Sequence, residues 1–209
     1  MSLTLHTTLG DLKLELHCDR VPVVAYNFLA LCASGAYDGT TFHRNVKGFV
    51  VQGGAPAQVT DSVNKRHIDN CREDNAKSRA KGGECVWGGL MPDQFCAELK
   101  HDMRGVVSMA SSKPDRVGSQ FFVTYAPQPH LDGVQSVCGK VLFGWDTLDK
   151  MERVPVIGKK FRPVTPIVVQ RVTIHANPFA DAGRRIPAPP NREEPDPVKK
   201  RRRKSSNDK

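Results

Sequence analysis

Leu3 and Leu5, and then Leu12, Leu14 and Leu16, alternate with polar residues along the first sixteen positions. A period of two belongs to a strand with one buried face. Leu9, Gly10 and Asp11 stand between the two runs as turn residues, so the chain opens with a β-hairpin. One hairpin cannot bury five leucines by itself, and further strands have to cover them. Strand signals recur over 41–45, 49–52, 105–110, 120–125, 136–141 and 167–176. Helical spacing occurs twice. Pro22 precedes VVAYNFLALCASG, where Tyr26, Leu29 and Ala30 share a face and Gly35 is a natural stop; WDTLDKMERV covers 145–154. Many short strands, two helices and glycine-rich turns predict a mainly β fold, a closed or nearly closed antiparallel barrel rather than a βαβ sheet.

Composition narrows the class. The 209 residues are 39% hydrophobic and 25% charged, an ordinary balance for a globular chain. No apolar run approaches the roughly 18 residues of a membrane span, and the N-terminus lacks the pattern of a signal peptide. Six cysteines show no CxxC spacing and are expected as reduced thiols, with Cys18, Cys32 and Cys138 read as small core residues. The net charge of +9 is uneven: from Asp181 onward ten Lys/Arg outnumber five Asp/Glu.

The stretch TFHRNVKGFVVQGG, 41–54, places Arg44 and Gln52 among Phe42, Phe49, Val50 and Val51. Such side chains in a sheet wall either face water or line a binding face. Alternation sends His43 to the side opposite Arg44, and it is read as structural.

Two more segments join this one: RGVVSMASSKPDRVGSQFFVTY, 104–125, and HLDGVQSVCGKVLFGWDTLDKM, 130–151. Their content, order and spacing resemble the cyclophilin family of peptidyl-prolyl cis/trans isomerases. The start MSLTLHTTLGDLKLEL and the end VTIHANPF of the similar region further resemble its short, spliceosome-associated cyclophilin-like-3 subgroup. The resemblance implies a closed eight-stranded antiparallel β-barrel capped by two α-helices over 1–179, apart from an insertion at about 57–82; the Pro-rich, charged composition of 180–209 predicts a disordered basic tail. The resemblance also implies a reaction that needs neither cofactor nor metal, and a monomer.

By resemblance Arg44 is the catalytic donor, aimed at the prolyl nitrogen as the amide twists. Phe49, Val50, Phe122 and Leu131 form the apolar floor and walls for the proline ring. Gln52 orients Arg44 and binds substrate backbone. Ser111 offers main-chain hydrogen bonds to the residue before proline, and Ala110 and Gln120 line the neighbouring subsite. Several positions depart from the family pattern. His130 stands where Trp is common, which implies weakened cyclosporin binding. Gln135 stands where a pocket His is usual, Val50 replaces Met, and Ala55 replaces Asp. Isomerase activity is expected at an equal or reduced rate.

Segment 57–82 is polar and nearly free of large apolar residues; a loop of this length is either functional or disordered. His67, Cys71 and Cys85 within and after it match no standard zinc spacing, and the reading of Cys71 with Cys85 as a redox pair is weakly supported. Lys199, Lys200, Arg201, Arg202, Arg203 and Lys204 form an unbroken cationic run, read as a nuclear localisation signal for an importin to grip or as a nucleic-acid-binding patch. The expected partners are proline-containing segments and spliceosomal or ribonucleoprotein components, and the expected location is nuclear. The alternatives are a proline-binding scaffold with little turnover, and a general cytosolic folding helper with diffuse cytoplasmic location; the alternative location for the isomerase is nucleus and cytoplasm.

Overall fold

The computed structural model describes residues 1–55, 83–179 and 187. The segment 57–82 and the tail 180–209, Pro187 apart, lie outside the described residues, as do the readings placed on them.

Among the described residues ten strands and two α-helices follow one another as β1 Ser2–Thr7, β2 Gly10–Leu16, α1 Pro22–Ala33, β3 Arg44–Val46, β4 Val50–Gly53, β5 Val106–Met109, β6 Phe121–Thr124, β7 Val137–Phe143, α2 Trp145–Arg153, β8 Val156–Ile157, β9 Arg162–Pro163 and β10 Val169–Ile174. A short 3-10 turn, Pro129–Leu131, precedes β7. Eight strands build one antiparallel sheet in the order β10-β1-β2-β7-β5-β6-β4-β3.

The opening leucines behave as their period requires. Leu3 pairs with Leu14 and Leu5 with Leu12, and all four are fully buried. Helix α1 begins with proline in its first turn and buries Val24, Ala25, Phe28, Leu29 and Leu31. Phe28 meets Phe121 edge-on at 5.1 Å, and Tyr37 and Phe42 also pack on Phe121. Such edge contacts add to the burial of each ring. Cys18, Cys32 and Cys138 are buried, as expected. Gly144 opens α2 with φ +99°, where a Cβ would overlap the carbonyl of Asp11, so only glycine fits there.

The eight expected strands and two helices are present, but closure is looser than expected. β10 and β3 share no ladder. The sheet curls until an isolated bridge, Thr41 to Val168, and a 2.9 Å bond from Phe42 N–H to the Ile167 carbonyl join its edges. A small second hairpin, β8–β9, rests beside β3 through the 2.8 Å bond from Asn45 N–H to the Phe161 carbonyl.

Candidate active site

Strand alternation divides the sheet residues between two duties. Val51, Phe121 and Val123 point inward and are fully buried. Their neighbours point to the outer face. Across that face the register aligns Arg44 with Gln52, Gln52 with Phe122, and Phe122 with Ser108. One row thus crosses β3, β4, β6 and β5. The guanidinium and amide in the wall belong to this face and not to the core.

The row floors a cleft of about 130 Å³ lined by Arg44, Phe49, Val50, Gln52, Ala110, Ser111, Phe122, Leu131 and Gln135. Sequence reading assigned all nine. Its other two candidates, Gln120 and His130, are not in the lining but touch residues that are. Gln120 holds Gln52, and the exposed His130 ring stacks on Phe49 at 5.7 Å and 21°.

Arg44 is positioned from two sides. Its Nη1 donates to Gln52 Oε1 at 3.4 Å, and its guanidinium carbon lies 5.6 Å from the Phe49 ring centroid. Gln52 in turn donates through Nε2 to Gln120 Oε1 at 2.8 Å. That bond fixes which end of the Gln52 amide faces Arg44: the acceptor end, as a guanidinium requires. No carboxylate pairs with Arg44 among the described residues. A half-buried cation with five N–H donors therefore keeps donors available to whatever enters the cleft. His43 is half-buried and absent from the lining. Burial, and then the charge of Arg162, hold its pKa below the ordinary imidazole value.

Phe122 has a support that sequence reading missed. His101 is fully buried and stacks on Phe122 at 5.9 Å and 18°. Its Nδ1 is 2.9 Å from Asp132 Oδ1, and its Nε2 is 2.8 Å from Ser108 Oγ. A carboxylate only accepts, so Nδ1 carries the proton and Nε2 accepts from the serine hydroxyl. Burial lowers the His101 pKa despite the neighbouring carboxylate, which keeps the ring neutral and the tautomer fixed. Burial alone would raise the Asp132 carboxyl, but the His101 backbone and ring bonds pull it below its usual value. Only the LDG motif containing Asp132 was visible in sequence, since partners 31 and 7 residues from His101 share no local pattern.

A second bond pair closes one wall. Ser111 N–H donates to Gln135 Oε1 at 2.8 Å, and Gln135 Nε2 donates to the Ser111 carbonyl at 3.2 Å. Among the described residues no group of three or more His, Cys, Asp or Glu is placed to hold a metal ion.

Residues 2–174 match the family model for the cyclophilin type peptidyl-prolyl cis-trans isomerase. The chain belongs to the cyclophilin family. This cyclophilin is 51% identical over 180 residues to peptidyl-prolyl cis-trans isomerase CYP18-1 of Arabidopsis thaliana, a match covering 86% of this chain and 99% of that one. It is 47% identical to the human peptidyl-prolyl cis-trans isomerase-like 3, with the same coverage of both chains. Among solved structures, a Cryptosporidium parvum cyclophilin type isomerase crystallised in the presence of the dipeptide Ala-Pro superposes with a TM-score of 0.71 at 39% identity. That match covers 85% of this chain and 100% of the other. The enzyme is a peptidyl-prolyl cis/trans isomerase, and the outer-face cleft is the place to look for its chemistry.

Proposed function

We propose that this cleft holds the proline of an X–Pro segment and that Arg44 lowers the barrier to its rotation. Partial double-bond character sets that barrier at about 18–20 kcal/mol. As the bond twists, resonance is lost and the prolyl nitrogen regains a lone pair. A donor aimed at that nitrogen binds the twisted amide better than either planar form, which is the condition for rate enhancement. The single observation that carries this reading is Arg44 itself. Among the described residues it is a cation without a carboxylate partner, steered by Gln52 and Phe49 over a floor made by Phe122. The cleft is far below the roughly 300–1,000 Å³ of a drug-sized pocket, so its 130 Å³ suits one small ring. The similar Cryptosporidium parvum isomerase was crystallised in the presence of a proline dipeptide, Ala-Pro, a ligand of the class proposed here. Neither a proton nor a covalent bond need be transferred.

Arg44→Ala tests the assignment. The expected result is a fall in kcat/KM of about 10²–10³-fold, the usual loss when one donor to a developing charge is removed, with Arg44→Lys recovering only part. Wild-type-like kinetics in Arg44→Ala would end it.

The location proposed is nuclear, on the six consecutive cations from Lys199 to Lys204. An importin is the proposed reader of that run, and ribonucleoprotein components carrying exposed X–Pro bonds are the proposed partners. Removal of 199–204 is expected to shift a fluorescent fusion of the full chain from nucleus to cytoplasm. An unchanged distribution would favour a general folding helper.

A further inference from the structure

The Gln135–Ser111 pair leads to a proposal about how this cleft chooses what it binds, and it rests on the reading that the cleft receives an extended X–Pro segment. Both main-chain groups of Ser111 are engaged by one side chain. Its N–H donates to Gln135 Oε1 at 2.8 Å, its carbonyl accepts from Gln135 Nε2 at 3.2 Å, and its hydroxyl lies 3.4 Å from the same Oε1. One residue giving and taking a hydrogen bond with one partner is the exchange made by a hydrogen-bonded pair of antiparallel strands. It is also what an extended peptide makes when it adds itself to an exposed main chain. Gln135 and Ser111 both line the cleft. The backbone of Gln135 is itself anchored, its N–H donating to the Leu131 carbonyl at 3.0 Å. The amide is therefore held at the pairing position by a fixed stem.

We propose that the Gln135 carboxamide is a built-in competitor: it occupies the main-chain pairing of Ser111 in place of the substrate backbone and has to swing out before a peptide can pair there. Gln135 is then a specificity-determining residue, not a catalytic one. Displacing it costs the same whichever X–Pro segment arrives. Only segments with an unhindered N–H and carbonyl at the residue before proline regain both bonds. A segment with a second proline at that position has no N–H and regains only one.

The N–H half of the pairing lies outside the rotating amide and is made alike by its planar and twisted forms, so its loss or gain moves KM more than kcat. The test is exchange NMR on the peptide Ala-Ala-Pro-Phe with the full chain, comparing wild type with Gln135→Ala and Gln135→Met. Methionine fills similar volume without the amide. Both variants are expected to lower KM by about three- to tenfold, up to one net hydrogen bond, with kcat changed less than KM and the melting temperature held. In wild type the Gln135 side-chain NH₂ protons are expected to exchange slowly with water in the free protein and faster at saturating peptide. An unchanged or raised KM in Gln135→Ala, alongside normal wild-type catalysis and peptide-induced shifts at Arg44 and Phe122, overturns the competitor role alone. Absence of those shifts and of catalysis in wild type overturns the proline-cleft reading, and the competitor with it.

Discussion

The imidazole of His101 lies nearly parallel to the ring of Phe122, with centroids 5.9 Å apart and planes inclined by 18°. The floor of the cleft thus rests on a buried neutral histidine, whose two nitrogens are committed to Asp132 and Ser108. Placing that ring in the fold has a consequence for acid stability.

A histidine whose pKa is lowered by folding binds its proton more readily in the unfolded chain. Its contribution is fully present above the ordinary value near 6.5 and is lost as the pH falls below it. His101, His43 and His17 all shift in that direction, burial being the leading cause for each. Asp132, lowered by its bonds to His101, adds a loss only at the more acid carboxylate range. Urea unfolding is therefore expected to show a lower midpoint at pH 5 than at pH 7. The drop should be smaller in His101→Gln, which keeps hydrogen-bonding groups but cannot titrate. An equal drop in both proteins would remove His101 from this account.

Adjacent phenylalanines should fail in different ways. Phe121 touches Phe28, Tyr37 and Phe42 inside the curled sheet, and Phe121→Ala is expected to lose about 3–5 kcal/mol of stability. Phe122 packs on His101 on one side and faces the cleft on the other. Phe122→Ala is expected to cost less stability, because part of the vacated space opens to solvent, yet to lose at least as much kcat/KM as any other change to the floor. Thermal melts and peptide kinetics on the two variants check this; a larger loss of stability in Phe122→Ala would contradict the division of faces.

That division was legible because a strand period is local: Phe121 and Phe122, or Val51 and Gln52, differ by one position and so by one face. The leucine hairpin and the nine residues lining the cleft were read from the same kind of pattern or from motif resemblance. What escaped was long-range or against pattern. His101 gains meaning only from Asp132 and Ser108, and Ser111 from Gln135 across 24 residues. The β8–β9 hairpin exposes Val156 and Ile157 and the nearby Phe161, so it offered no alternation to detect. The missing ladder between β3 and β10 depends on how far the sheet curls, which no single strand encodes. Gln120 and His130, also read from motif resemblance, are not in the lining of the cleft but each touches a lining residue, Gln52 and Phe49.

His130 supports a last prediction. Its exposed ring stacks on Phe49, at the position where the family commonly places Trp. An imidazole there covers less apolar area than an indole and offers a weaker platform to a bulky cyclic peptide. Weak cyclosporin binding is the expected property of the wild-type chain, and His130→Trp is expected to tighten it by about tenfold or more, the effect of roughly 1.4 kcal/mol from one added aromatic contact. Because His130 stands outside the nine lining residues, catalysis on a short X–Pro peptide should change less than inhibitor affinity. Titration calorimetry with cyclosporin, run beside peptide kinetics, separates the two effects. Unaltered cyclosporin affinity in His130→Trp would place the obstacle elsewhere in the cleft, with Gln135 and Val50 as the next positions to exchange.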